Sequence, residues 1–299
     1  MADLRIDGFV LVHEHLSIDY AQKDGGAADW DEALRADAVR VLRDLAALGC
    51  AAVVDCTPPG YGRRVDELRA AGEAAGVEVY AATGSFCEQW SPLPGLVAAS
   101  DVEGLARYFA DEVRGPLGGP GQAVVKAATS AGRITDAEHV VLRAAARASL
   151  RTGARIVSHT SGGMGLEALD VYEREGVPLE RVLVSHVGSH GEPAGYAEEI
   201  ARRGAFVGLD RIGHHAATDE HWASLITHLG DLGLLGRVLL SHDSVQRFRG
   251  PAEIAGHTFG DPTHIPVRFA PLLLDRGLTT AQVRALLVDN PVRWLHRER

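Results

Sequence analysis

The amino-acid sequence predicts a (β/α)8 TIM barrel, in which eight parallel strands form a closed ring and helices cover its outside. Eight short apolar runs alternate with longer segments of helical period. Most of these runs are continuously apolar, as expected for parallel strands covered on both faces. No linker, shift in composition or low-complexity tract divides the chain. We therefore expect residues 1–299 to form one barrel domain.

The strand candidates are short runs rich in valine, leucine, isoleucine and alanine. In chain order they span residues 9–15, 51–56, 77–83, 123–128, 155–159, 181–186, 205–209 and 237–242. Eight strands of this kind, each followed by a helical segment, favour a closed barrel over an open sheet.

The helix candidates show apolar residues at steps of three and four. From Leu34 onward this spacing predicts a helix that Gly49 ends. Thr135 and Glu138 form a capping box, which opens a helix that Gly153 ends. Further helices are predicted over residues 65–75, 102–113, 166–175, 196–203, 220–229, 266–276 and 280–289.

Charge and cysteine content limit the partners and the compartment. The chain carries 30 basic and 40 acidic residues, a formal charge of −10, and its basic residues are scattered. This argues against nucleic acid or an anionic membrane as partner and favours a dissolved small molecule. Three cysteines cannot form an even disulfide framework. With no signal-peptide pattern and no apolar run near the roughly 20 residues that span a bilayer, we expect a cytoplasmic protein.

Polar side chains with metal-binding chemistry stand at the ends of the predicted strands. In a barrel of this class, residues that perform chemistry lie where the strands end. His13 and His15 are two positions apart, so a strand directs both to one face, and Glu14 points the opposite way. The complete set of candidate metal ligands is His13, His15, Lys126, His159, His186 and Asp243.

Lys126 lies inside an otherwise apolar strand candidate. A buried lysine is costly unless it is neutral, paired or modified, so one interpretation is a structural ion pair. The other is that the neutral amine adds CO₂ and becomes a carbamate, an anionic group that can bridge two cations. For His159 or His186 alone, a satisfied core position is the favoured interpretation. Together, on one rim, they predict a binuclear metal site.

These motifs, in this order, resemble those of the phosphotriesterase family of the amidohydrolase superfamily, and its lactonase branch is the most similar. The resemblance covers almost the whole chain. The matching motifs are His13-Glu14-His15 after Gly8-Phe9, Val124-Val125-Lys126-Ala127-Ala128-Thr129, Ser158-His159-Thr160, Ser185-His186, Ser241-His242-Asp243 and Asn290-Pro291.

The resemblance implies a division of the ligands between two ions, most often zinc, with cobalt, manganese or iron as alternatives. His13, His15 and Asp243 would bind the more buried metal, and His159 and His186 the more exposed one. Carbamylated Lys126 and a hydroxide would bridge the two ions. Family members are often homodimers, so a homodimer is also implied.

The implied activity is hydrolysis of ester-type bonds in a lactone or a carboxylic ester, with Asp243 accepting a proton. Two alternatives stay open. One is a phosphotriester hydrolase of the aryldialkylphosphatase type, and the other is a catalytically weak relative that keeps the metal. Amide hydrolysis is a further activity of related barrels.

The substrate pocket is predicted to involve Phe86, Trp90 and Arg211. The Gly-Leu-Asp-Arg sequence ending at Arg211 is similar to the lactonase branch, whereas lactonases of this kind have tyrosine where this chain has Phe86. Arg211 either binds substrate or pairs with a carboxylate. Ser189 stands where organophosphate hydrolases have the aspartate of a proton relay, and residues 245–265 are expected to form the loop over the site.

Overall fold

Eight parallel strands form the core of the computed structural model, which describes residues 6–22, 30–214, 217–251 and 260–295. Each strand pairs with the next barrel strand along the chain. The barrel strands are β1 (Phe9–Glu14), β3 (Cys50–Asp55), β4 (Glu78–Gly84), β5 (Ala123–Thr129), β6 (Arg155–Thr160), β7 (Val182–Ser185), β8 (Phe206–Leu209) and β9 (Val238–Leu240). The predicted (β/α)8 TIM barrel is confirmed.

The ring closes at a seam between residues 13–15 and 241–245. The backbone N–H of Asp243 donates to the carbonyl of His13 at 3.0 Å, and the N–H of His15 donates to Ser244 at 2.8 Å. His15 and Val245 also form a parallel bridge. Two predicted ligands, His13 and Asp243, are therefore held by the same backbone contact.

The helices cover the outside of the ring. They are α1 (Glu32–Ala47), α2 (Val65–Ala75), α3 (Gly95–Ala99), α4 (Val102–Arg114), α5 (Asp136–Thr152), α6 (Gly165–Arg174), α7 (Ala194–Arg202), α8 (Asp219–Asp231), α9 (Ala270–Asp275), α10 (Thr280–Arg284) and α11 (Asn290–Leu295). The predicted capping box of Thr135 and Glu138 is confirmed at the start of α5. Within the described ranges, no helix is long and apolar enough to cross a membrane.

Three elements were not predicted. α3 is short, and the strands β2 (Ile18–Asp19) and β10 (Phe248–Arg249) form a two-residue parallel pair that no periodicity reveals. The last predicted helix, over 280–289, continues to Leu295 despite Pro291. A wide turn over Ala285–Asp289 precedes Pro291. In this turn the N–H of Asn290 donates to the carbonyl of Ala285. This five-residue spacing changes the hydrogen-bond ladder before the proline, which has no N–H to donate.

The inner face of the ring carries Lys126. On β5, Val124 belongs to the interior cluster, whereas Val125 and Ala127 pack against the outer helices. Alternation therefore places Lys126 inside the barrel. On β1 the regular register is interrupted between Leu11 and Glu14, and such irregularities re-aim side chains.

Candidate metal centre

Four of the predicted ligands meet at the carboxyl ends of β1, β5 and β9. His13 Nε2 lies 3.5 Å and His15 Nε2 lies 3.4 Å from Asp243 Oδ1. The Nζ atom of Lys126 lies 2.6 Å from His13 Nε2. Among the described residues, no carboxylate forms an ion pair with Lys126. The structural ion pair, one of the two interpretations of this lysine, is therefore not found in this part of the chain.

The other two predicted ligands follow β6 and β7. His159 Nδ1 and His186 Nε2 lie 2.6 Å apart and share one hydrogen. His186 Nε2 is also 3.8 Å from Asp243 Oδ2. Asp243 therefore lies between two groups of imidazoles, one contacting each of its oxygens. The structure brings all six predicted ligands together.

Asp210 contacts two of the predicted ligands, and the sequence analysis did not single it out. It follows β8, is fully buried, and contacts an imidazole on each side. His13 Nδ1 bonds Asp210 Oδ2 at 2.7 Å, and His186 Nδ1 lies 2.9 Å from Asp210 Oδ1. Its carboxylate orients both rings so that each Nε2 faces the site. Its position directly after the apolar strand β8 is the feature of the sequence that could have identified it as a residue of the site.

Hydroxyl groups orient the remaining two imidazoles. Thr57 Oγ1 lies 2.8 Å from His15 Nδ1, and Ser161 Oγ lies 3.0 Å from His159 Nε2. Thr57 in turn donates to the carbonyl of Ser17 at 3.1 Å. In each histidine, one ring nitrogen is therefore held by the protein and the other is turned towards the site.

Burial favours the neutral form of three of the imidazoles. It lowers the pKa of His186 to about 3, holds that of His159 well below its usual value and also lowers that of His13. Burial alone would raise the pKa of Asp243, but the neighbouring His13 and His186 hold it well below its usual range. The site thus offers unprotonated nitrogen and anionic oxygen, the forms that bind metal.

The backbone is strained at two of the ligands. Among the described residues, His186 (φ 65°) and Asp243 (φ 54°) are the two non-glycine residues with positive φ. This conformation costs on the order of 1 kcal/mol each and tends to mark functional sites. Gly84 has a φ of 112°, and a Cβ there would overlap the carbonyl oxygen of Lys126. Only glycine therefore fits opposite Lys126 in the pairing of β4 with β5.

The donor set fits divalent cations. His13, His186 and Asp243 place one ligand atom each within 4.8 Å of one another. Neutral imidazole with carboxylate suits zinc and related ions. His15 adds a nitrogen beside Asp243, His159 adds one beside His186, and Lys126 Nζ lies beside His13.

A cavity of about 480 Å³ opens above these residues. Its wall contains all three predicted pocket residues. Trp90 is 37% exposed, whereas Phe86 is 8% exposed and packs with its ring centroid 5.9 Å from that of His15. Arg211 Nε donates to Asp243 Oδ2 at 3.3 Å, so it pairs with a carboxylate. Further wall residues that the sequence analysis did not identify are Tyr20, Cys87, Gln89, His190 and His214.

The predicted loop over the site contributes Val245 and Phe248 to this wall. Residues 252–259 of the same segment lie outside the described residues. The ring of Phe248 lies 6.0 Å from that of Tyr20, which lies 6.0 Å from Phe86. The aromatic rings therefore form one continuous part of the wall, which also contains the polar side chains of Ser161, Ser189, His190 and Arg211.

Comparison with known proteins agrees with this geometry. The phosphotriesterase homology protein of Escherichia coli (strain K12) is 32% identical over 293 residues, which cover 96% of this chain and 97% of the relative. The aryldialkylphosphatase of Saccharolobus solfataricus is 28% identical over 250 residues, 79% of this chain and 76% of the relative. The structure of a mutant PTE-like lactonase of Deinococcus radiodurans superposes with a TM-score of 0.83 at 30% identity, covering 99% of this chain and 98% of that one.

The sequence profile of the phosphotriesterase family matches residues 2–295, which is nearly the full length. The relatives carry the names of hydrolases, and the site has the ligands that a metal-dependent hydrolase needs. The resemblance seen in the sequence motifs is confirmed. This chain belongs to the phosphotriesterase family of metal-dependent hydrolases.

Proposed function

We propose that the protein is a binuclear metal-dependent hydrolase that acts on lactones or carboxylic esters. One observation supports the proposal most directly: four imidazoles, a buried lysine and an anionic aspartate converge beneath one cavity. The substrate is a small molecule, because the cavity is about 480 Å³ in volume. A homodimer and a cytoplasmic location stay predictions.

The ligands divide into two groups around Asp243. His13 and His15 would hold one ion together with Asp243, His159 and His186 would hold the other, and Lys126, as a carbamate, would join them. Zinc is the ion we propose, because imidazole and carboxylate ligands suit it. Two such ions, when bound, supply Lewis acidity that makes water nucleophilic at neutral pH and polarises the oxygen of the substrate.

The chain itself provides proton transfer and orientation. Asp243 is anionic and accepts the proton that the attacking water loses. Its Oδ2 is bonded to Arg211 while its Oδ1 faces His13 and His15, so the carboxylate has a fixed orientation. The aromatic wall around Phe86 binds the apolar part of the ester and excludes bulk water.

Hydrolysis of phosphotriesters is a second candidate. One relative carries the name aryldialkylphosphatase, and Phe86 has no hydroxyl to offer a lactone ring. An apolar wall can accept the alkyl or aryl groups of a phosphotriester. Both candidates use the same metal-binding residues, so they differ only in the group that the cavity accepts.

A substrate panel tests the proposal. The protein is prepared with zinc and bicarbonate, and kcat/KM is measured on a γ-lactone, an aryl carboxylic ester and an aryl phosphotriester. We expect the lactone or the carboxylic ester to be preferred. Preference for the phosphotriester selects the second candidate, and inertness towards all three indicates a metal-binding relative with little activity. Asp243→Asn is the matched control, because it should keep metal but lose turnover on every substrate.

A further inference from the structure

A line of polar side chains leads from Asp243 along the cavity wall. Arg211 Nε donates to Asp243 Oδ2 at 3.3 Å, and Arg211 Nη1 lies 3.4 Å from His190 Nε2. His190 Nδ1 lies 3.4 Å from Glu192 Oε1. Both residues beyond Arg211 lie in the loop between β7 and α7, and the sequence motifs assigned neither of them a role.

Chemistry fixes the direction of each contact in this line. A guanidinium has five N–H donors and no acceptor, so His190 Nε2 must accept from Arg211. The hydrogen of the neutral imidazole then lies on Nδ1, where Glu192 is the acceptor. In this arrangement the ring of His190 cannot turn over without losing both contacts.

The outer end of the line is anchored by a tight turn. Gly191 has a φ of 74°, and the turn brings Glu192 Oε2 to 2.9 Å from the backbone N–H of His190, which donates to it. The side chain of Glu192 is only 7% exposed. Its carboxylate is therefore fixed to the backbone of the residue that it orients.

We propose that His190 and Glu192 are positioning residues that hold Arg211, and through it the carboxylate of Asp243, in the orientation that hydrolysis needs. This inference rests on the proposed function. Ser189 replaces the relay aspartate of related enzymes, and Arg211 stays protonated and cannot accept a proton from Asp243. The line therefore orients the proton acceptor, and it does not conduct its proton to solvent.

Kinetics of four variants test the proposal. His190→Ala and Glu192→Ala should each lower kcat about tenfold and leave KM nearly unchanged, because a misoriented catalytic group costs rate. The double variant should lose no more than either single variant, since both act through one contact. His190→Gln should recover most of the rate, because its amide can accept from Arg211 and donate to Glu192.

A matched control comes from a second His–Glu pair. His228 on α8 and Glu198 on α7 lie 4.0 Å apart on the outside of the barrel, away from the cavity. His228→Ala removes the same kind of side chain from the same kind of pair, and we expect it to leave kcat unchanged.

A readout that needs neither metal nor turnover is the NMR signal of the Arg211 Nε–H group, assigned by its loss in Arg211→Lys. His190→Ala and Glu192→Ala should both shift it and speed its exchange with solvent, and His190→Gln should restore it. The proposal is overturned if the Nε–H signal does not move in His190→Ala and Glu192→Ala. It is also overturned if the wild type hydrolyses an ester and His190→Ala does so equally well, or if His190→Gln is as slow as His190→Ala. A wild type that hydrolyses no ester refutes the proposed function, and the Nε–H signal then decides the inference alone.

Discussion

Lys126 is the residue on which the proposed binuclear site depends most directly. The chain has 30 basic residues, yet only Lys23 and Lys126 are lysines. Lys126 is fully buried beside His13, and Gly84 leaves room for its backbone. A guanidinium stays protonated, whereas an amine can become neutral and add CO₂. A lysine at this position therefore fits the proposed carbamate, which arginine could not form.

We predict that Lys126→Ala loses most of its bound metal and roughly hundredfold in kcat/KM, because the group between the two cations is gone. Adding a short carboxylic acid with zinc should restore part of the activity by occupying the vacated space. Elemental analysis and ester hydrolysis measure the two effects. Lys126→Arg is the control, since its guanidinium fills the space but cannot add CO₂, and it should not respond to the acid. Full metal content in Lys126→Ala would contradict the carbamate.

The six ligand candidates could be identified from the sequence because five of them stand at the end of an apolar run and Lys126 interrupts one, and the ends of parallel strands meet at one rim. The same rule applied to Asp210, but its importance depends on touching His13 and His186, which are far away in the chain. His190 lies in a loop, where no periodicity says which way a side chain points. Contacts across the rim therefore required the structure.

At the scale of elements, the seam between β1 and β9 depends on Glu14. Its Oε1 accepts from Ser241 Oγ at 2.8 Å and from His242 N and Nδ1 at 2.9 Å each. Its Oε2 accepts from Ser244 N at 2.9 Å and also from the Ser244 hydroxyl. Burial would raise the pKa of Glu14, but His242 and these hydroxyls lower it. Glu14, which points away from the two predicted histidine ligands beside it, thus joins β1, which carries His13, to the segment after β9, which carries Asp243.

We predict that Glu14→Gln lowers the free energy of unfolding by about 3 kcal/mol, because an amide –NH₂ would face fixed N–H donors in a buried place. Urea unfolding of the metal-free protein measures the change. Glu67→Gln is the control. It breaks a pair with Arg35, which is 51% exposed, and should cost less than about 1 kcal/mol. An equal loss in both variants would show that the seam has no special dependence on Glu14.

Most elements could be predicted from the sequence because their signals are local. The capping box at Thr135 and the glycine after α5 mark that helix without any tertiary information. The pair of β2 and β10 could not be predicted, since each strand has two residues and only the distant partner defines it. The helix that contains Pro291 was not predicted either, because proline is expected to end a helix. Here a wide turn over Ala285–Asp289 changes the hydrogen-bond spacing just before the proline.

At the scale of the whole molecule, the buried imidazoles link folding stability to pH. Burial lowers the pKa of His186 to about 3 and also lowers those of His13 and His159. In the unfolded chain a histidine takes up its proton near pH 6.5. Below that pH the unfolded state binds more protons than the folded state, so the free energy of unfolding falls as the pH falls. Above that pH, the imidazoles are neutral in both the folded and the unfolded state, so they do not make the free energy of unfolding depend on pH.

We predict that the metal-free protein loses stability between about pH 6.5 and pH 5, by up to about 1.4 kcal/mol per pH unit for each imidazole. Glu14, Asp210 and Asp243, whose pKa values are lowered, add their own loss only at lower pH, whereas burial raises the pKa of Asp55 and so works against the loss. Urea unfolding at several pH values from about 7.5 to 5 measures the slope. His186→Asn should flatten it, whereas replacing the exposed His228 should not. If His186→Asn left the wild-type slope unchanged, the folded protein would protonate His186 as readily as the unfolded chain does, which would contradict its lowered pKa.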